Sequence, residues 1–333
     1  SSTLSSSMIL KKYKLKKTIH QFFPIDFIFF TNKFLNYWKP SVAIFIESEI
    51  WPSMFLGLNK KLIPLILINA RITNKTFKRW TKISFFSKNV FNKISVAYPQ
   101  NLETLKYLKK LKVNKIKFLG NLKFTESKNN QIEILNKLFK KKFKDRKIWC
   151  AASTHENEEL VCANVHLRLK NKHKKLLTII IPRHISRTKE IMSKIETLGL
   201  RIVNRSSEEK ITDKTDIYLV DTYGETNKFF KICKTVFLGG SLIKHGGQNP
   251  IEAARMGSTI LHGPYTDNFK DVYKLFRNKK ISYKANNVNQ LTKLIDKSII
   301  NSKNKKNKYL RIKKIGNNIL HKTIKEIYRI IKN

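Results

Sequence analysis

The rhythm of the aliphatic runs constrains this chain more than any other feature. VAIFIES (42–48), LIPLILINA (62–70), LLTIIIP (176–182) and TVFLGG (235–240) are apolar at consecutive rather than alternate positions, and stretches with helical spacing follow. A strand without a polar face must be covered on both sides, which is the situation of a parallel sheet flanked by helices. The repeating unit is therefore βαβ, and the class α/β.

In the first half, SVAYPQ supplies a third strand and KIKFLGNLKF a further apolar run, while WPSMFLGLNKK, KTFKRWTKI and NLETLKYLKKL carry helical patterns. The polar stretch TESKNNQ (125–131) lacks apolar periodicity and marks a linker. Beyond it the rhythm restarts with IWCAAS, LLTIIIP, LRIVNR, DIYLVD, TVFLGG, STILHG and ISYKA, as in a doubly wound sheet. A chain of 333 residues exceeds one ordinary core. The expected division is a Rossmann-like domain over 1–126, a second over 132–317, and a terminal helix within 318–333, its pattern running from Asn318 to Ile331.

The formal net charge is +45, spread along the whole chain and mostly lysine. Attraction to an anionic surface and simple compositional drift both account for it, because net charge informs on partners and not on fold. Cys150, Cys162 and Cys233 have no CxxC or CxxH spacing, so they read as buried thiols in a reducing compartment. No apolar run reaches the ~18 residues of a membrane span. The aromatic stretch HQFFPIDFIFF (20–30) reads mostly as core, with a lipid contact as the alternative.

Ligands of open parallel sheets bind beyond the carboxyl ends of the strands, and those ends carry the polar signals here. STHENEE (153–159) reads as a capping box, Ser153 with Glu156, with Thr154 adding a hydroxyl where an anion could sit on a helix N-terminus. Arg183 of PRH offers a fork of donors, and DTYGE (221–225) a turn. FLGGSLIKHGGQNPIEAARMGS (237–258) places Gly240 and Ser241 at a strand end, Asn249 at an N-cap, Pro250 at the first helical position and Gly257 at the stop. Glu252 in that first turn could accept from a pair of sugar hydroxyls. GxGxxG, GxxxxGK[ST] and DxD-like pairs are missing, which leaves a single phosphate held by donors and dipoles. In the first half, Glu47 and Glu49 of FIESEIWPSMF are candidates for a general base or for gripping an acceptor, and Asn69 and Arg71 of NARITNKTFKR for an anionic group.

FIESEIWPSMF, INARITNKTFKR, GNLKF, AASTHENEE, IPRH, DTYGE, VFLGGSLIKHGGQNPIEAA and GPYTDNF, in this order, resemble the motifs of the lipid A Kdo transferases over nearly the whole chain. The resemblance implies a GT-B fold, two Rossmann-like doubly wound domains facing across a cleft, with the C-terminal helix returning toward the first. It implies inverting, metal-independent transfer of 3-deoxy-D-manno-octulosonic acid (Kdo) from CMP-Kdo to a lipid A precursor (lipid IVA). The setting would be lipopolysaccharide biosynthesis at the cytoplasmic face of the inner membrane, with no cofactor. Ser153, Thr154, Arg183, Gly240, Ser241, Asn249 and Glu252 would hold CMP-Kdo, and Asn69 and Arg71 would lie on the acceptor side with Glu47 and Glu49 in support. The family's anchoring segment and its basic Glu turn are expected upstream of Ser1, which reads the chain as truncated. A UDP-sugar transferase of the same fold is the competing enzyme reading. A nucleic-acid-binding protein is the other, opposed by the lack of any reading motif.

Overall fold

A computed structural model describes residues 4–13, 15–125, 143, 145–207, 209–300 and 305–332. Residues 1–129 with 316–333 form one compact unit and residues 130–315 a second. The expected boundaries at 126 and 132, and all of the linker except Thr125, lie outside the described residues.

In the first unit, β1 (Ala43–Ile46), β2 (Leu65–Ala70) and β3 (Val96–Pro99) form a parallel sheet in the order β1-β2-β3. KIKFLGNLKF adds only a single bridge, Ala97 to Ile116, and a 3-10 turn over Leu122–Phe124. Most of β2 and all of β3 are buried, as runs of consecutive apolar residues require. At the edge, β1 departs from that expectation. Ile44 and Ile46 are 40% and 52% exposed, because the helical side covers only the Phe45 face, where Phe23, Phe55 and Trp51 meet. The aromatic stretch is therefore not mostly core, contrary to expectation: Phe23 packs inward, while Phe22, Ile25, Phe27, Ile28, Phe29 and Phe30 are exposed. Asp26 between them accepts from the Ser53 and Met54 amides and caps the Pro52–Lys60 helix from outside its own segment.

The second unit holds seven parallel strands, β4 (Lys147–Thr154), β5 (Leu176–Pro182), β6 (Ile202–Asn204), β7 (Ile217–Leu219), β8 (Thr235–Leu238), β9 (Thr259–His262) and β10 (Ser282–Lys284). Their order, β10-β9-β8-β4-β5-β7-β6, is doubly wound, with the direction of winding reversing at the β4–β8 pair. Trp149, Ile180, Phe237 and Leu261 fill the core beneath the helices. All three cysteines are buried and unbridged, and burial pushes the Cys150 and Cys162 thiols up.

The last helix begins at Lys305, thirteen residues before the expected start at Asn318. Ile312, Gly316, Ile319 and Thr323, at helical spacing, supply the buried stripe that a reading of the surrounding lysines and asparagines hides. Its residues to Ile315 group with the second unit and those from Gly316 with the first. Within the first unit, Glu326 of this helix pairs with Lys117 and accepts from the Tyr98 hydroxyl, while a Cβ on Gly316 would lie 2.3 Å from the Phe124 carbonyl oxygen.

Candidate functional site

The winding reversal opens a crevice at the carboxyl ends of β4 and β8, and most of the residues singled out in the second half converge there. Ser153 and Thr154 close β4 instead of starting a helix. The helix begins at Glu158, after Asn157, so Ser153 and Glu156 make no capping box. The intervening turn reverses too tightly for helical geometry, with Ser153 at φ +54° and Asn157 at φ +71°. Two side-chain-bearing residues in the left-handed region within five positions store strain, which native structures tolerate at functional turns.

Glu158, only 1% exposed, organises the crevice floor. One of its carboxylate oxygens accepts from the His155 and Gly240 amides at 3.0 and 2.6 Å, the other from the Ser241 and Leu242 amides at 3.1 and 3.0 Å. The amides of Gly240 and Ser241, expected to meet a phosphate, are therefore already engaged by an internal anion. The Ser241 hydroxyl is internal as well, donating to the Leu238 carbonyl and accepting from the Gly263 amide. Thr154 and Ser241 are both fully buried.

The glycines answer to the same packing. A Cβ on Gly239 would stand 2.4 Å from the Ser153 carbonyl oxygen, and one on Gly263 2.0 Å from that of Ser241. Backbone meets backbone at both positions. Gly240 is different, since its φ of +63° and the rings of His155 and His245, each 3.2 Å from its missing Cβ, put it beside the side chains that line the crevice.

Three histidines gather at that point. The rings of His155 and His245 have centroids 4.1 Å apart, His184 lies edge-on to His155 at 6.1 Å, and the Gln248 amide sits 3.3 Å from His155 Nε2. Burial, reinforced by His245, His184, Arg183 and Arg187, pushes the His155 imidazolium down to about 4, so the ring is neutral near pH 7. Arg187 is spoken for, bonded to the buried Glu159 at 3.0 Å, whose carboxyl burial raises despite the guanidinium. Arg183 is not: exposed, it has no carboxylate partner among the described residues. Its own amide donates to the Thr154 carbonyl, which ties the β5 end to the β4 end.

Asn249 accepts from the Ile251 amide at 3.1 Å, but the N-cap of the short Ile251–Arg255 helix is Pro250 and its first helical residue Ile251, one position later than expected, with Glu252 exposed in the first turn and Gly257, φ +79°, following its end. DTYGE is self-contained. Burial raises the Glu225 carboxyl, but Arg205, Thr222 and Lys228 outweigh it and hold the group at about 2.

In the first unit a second polar group forms at the carboxyl edge of β1 and β2. Glu47, at φ +59°, pairs with Lys123 at 2.8 Å and accepts from Asn69 at 3.4 Å, and Asn69, at φ +49°, accepts from the Leu122 amide at 2.9 Å. Arg71 is exposed, its amide bonded to the Glu47 carbonyl. Glu49 stands apart, taking the Trp51 indole N–H at 2.7 Å. Sequence reasoning missed Glu158, Lys123 and the histidines. The recurrence of histidine just past three strand-end motifs (STH, PRH, IKH) was the signal for the last.

Among the described residues no group of three or more His, Cys, Asp or Glu side chains, the three histidines included, is placed to hold a metal ion, and no helix is long and apolar enough to cross a membrane. Residues 1–126 match the family described as 3-Deoxy-D-manno-octulosonic-acid transferase (kdotransferase). The 3-deoxy-D-manno-octulosonic acid transferase of Rickettsia bellii is 34% identical over 296 residues, 88% of this chain and 70% of that protein. The protein of the same name from Rickettsia felis is 36% identical over 295 residues, 88% of this chain and 63% of its own length. The chain thus spans a little under two thirds of several curated relatives it matches. A UDP-GlcNAc 2-epimerase from Neisseria meningitidis, solved with UDP-GlcNAc, shares the fold at a TM-score of 0.60 and 11% identity over 95% of this chain and 85% of that one. Two parallel α/β units of this kind are the GT-B type of fold. On its sequence likeness over most of its length, the chain belongs to the 3-deoxy-D-manno-octulosonic acid transferase family.

Proposed function

We propose that the chain transfers Kdo from CMP-Kdo to a lipid A precursor, lipid IVA, with inversion, at the cytoplasmic face of the inner membrane. The observation that carries the reading is Arg183, a guanidinium without a carboxylate partner among the described residues, at the end of β5 next to the winding reversal and near the imidazole cluster. The bond between the anomeric carbon and the CMP phosphate breaks, the electron pair leaves with CMP, and the acceptor hydroxyl bonds the carbon as its proton passes to a carboxylate. Charge developing on the departing phosphate is met by Arg183 and by imidazole N–H groups. Ser153 stands beside that phosphate, and Asn249 and Glu252 read the ribose, while Gly240, Ser241 and Thr154 act by shaping the floor. The first unit takes the acceptor, with Asn69 and Arg71 near its anionic groups and Glu47 or Glu49 in support of the proton transfer.

Exposed Ile25, Phe27, Ile28 and Phe29 support a resting place on an anionic bilayer, with lysines adding about 1 kcal/mol each near the surface. Titration calorimetry with CMP and UMP, together with release of CMP from CMP-Kdo in the presence of lipid IVA, tests the reading. CMP should bind more tightly than UMP, and Arg183→Ala should lower kcat/KM about 10²-fold. Equal binding of the two nucleotides, or an unchanged kcat/KM, would refute it.

A further inference from the structure

The second unit carries another cavity, of about 460 Å³, at the end of the sheet opposite the crevice. It is lined where β8, β9 and β10 begin, at Thr235, Thr259 and Tyr283, and by the Val288–Ile300 helix and the start of the Lys305–Lys332 helix. β8 alone separates this end from the crevice by about 13 Å, at about 3.3 Å per residue. Lys234, Lys280, Lys297, Lys305, Lys308 and Arg311 line it, and among the described residues no acidic side chain does.

Helix C-termini collect at this edge of a parallel sheet, and their carbonyls attract cations. That accounts for Lys305, whose ammonium donates to the carbonyls of Phe230, Lys231 and Cys233 at 3.0, 2.7 and 2.9 Å. Lys308 is bonded to the Thr259 hydroxyl. Lys297 lies in the last turn of the Val288–Ile300 helix, but its ammonium, like the side-chain cations of Lys234, Lys280 and Arg311, has no hydrogen-bond or carboxylate partner among the described residues. All four are exposed around a shared concavity. Like charges so placed repel unless something multiply negative joins them, and a tetrahedral phosphate with several acceptor oxygens is suited to point-charge ammonium groups. Burial pushes Lys305 down to about 8, with Cys233 opposing the shift and the nearby Lys234 cation adding to it. Leu261, Leu294 and the Tyr283 ring supply an apolar wall for the remainder of such a ligand.

We infer that this cavity is a second binding site, separate from the crevice, for a phosphate-bearing anion, either a soluble phosphate ester or a phospholipid headgroup. The inference does not depend on the proposed transfer reaction. The test compares the full chain with the quadruple variant Lys234→Gln, Lys280→Gln, Lys297→Gln, Arg311→Gln, which leaves the Lys305 contacts in place. A second quadruple variant, Lys174→Gln, Lys189→Gln, Lys210→Gln, Lys214→Gln, removes the same charge from exposed positions of the same unit that do not line the cavity. Calorimetry with inorganic pyrophosphate and co-sedimentation with phosphatidylglycerol-containing vesicles distinguish the two sources. The cavity variant should lose at least tenfold in affinity for one probe, while the charge-matched variant keeps affinity within about twofold. Loss for pyrophosphate assigns the site to soluble esters, and loss for vesicles alone assigns it to headgroups. Equal losses in both variants, or none in either, would overturn the site and leave only diffuse attraction to a basic surface.

Discussion

Replacing Glu158 by Gln separates the internal anion of the crevice floor from everything around it. Each carboxylate oxygen accepts two backbone N–H groups, from His155 and Gly240 on one side and from Ser241 and Leu242 on the other. A glutamine keeps one oxygen and therefore one pair of donors. Its amide nitrogen turns two N–H groups of its own toward the other pair, which become buried and unsatisfied. An unmet buried donor costs about 1–3 kcal/mol, so the pair costs about 2–6, and a loss near 4 kcal/mol is expected. Urea unfolding followed by far-ultraviolet circular dichroism measures the whole, and hydrogen exchange at Gly240, Ser241 and Leu242 reads the local opening within the second unit. Glu156→Gln, two residues away and exposed, is the control and should stay within about 0.5 kcal/mol. If the Glu158→Gln chain unfolds within about 1 kcal/mol of its parent, with those three amides exchanging as before, the internal-anion reasoning is wrong.

Gly263→Ala should cost at least about 3 kcal/mol in the same unfolding assay, because its Cβ would meet the Ser241 backbone, whereas Gly199→Ala, with φ +69° and open space, should cost only about 1. A smaller loss at Gly263 than at Gly199 would deny the close approach. Asn69→Ala removes the acceptor of the Leu122 amide and a donor to Glu47, and should lower stability by about 1–2 kcal/mol and loosen Lys123, visible as faster exchange at Leu122. His155 and His262 are both pushed down to about 4, chiefly by burial, below the ordinary 6.5. The unfolded chain takes up those protons first, so stability falls as pH drops from about 6.5 to 4, and His155→Gln should flatten that slope in a pH series of urea midpoints. Below that window the half-buried pair Glu225–Arg205 and the Asp216–His166–Lys170 group, with carboxyls held at about 2, lose their contribution, and the Gln variant should leave that acid limb unchanged.

Much of the second unit was legible because its strands are buried on both faces, so consecutive apolar letters mark them directly, as in LLTIIIP and TVFLGG. β1 misled on one point: its letters are equally apolar, yet its place at the sheet edge leaves Ile44 and Ile46 exposed, and edge position is a property of topology. At the crevice, the place of Arg183 followed from a strand end and that of Glu252 in a first helical turn from the Pro before it, although the helix starts one residue later than its Asn-Pro signal suggests. The engagement of Glu158 did not, since a carboxylate that reaches 82 residues along the chain to Gly240 leaves no local spacing to read. Glycine was the most ambiguous letter, because the same residue serves a ligand or another strand, and only the neighbour of the absent Cβ decides. The long final helix was obscured by lysine and asparagine, whose side chains conceal a stripe of four inward positions.

A turn that holds its own negative charge is complete before any nucleotide arrives. The main chain beneath the crevice has little left to offer an incoming phosphate, and Glu158 repels one that comes too near. Under the proposed function, discrimination falls to side chains at the rim, which can rotate, so tolerance for altered donors would be tuned by rotamers while the scaffold stays fixed.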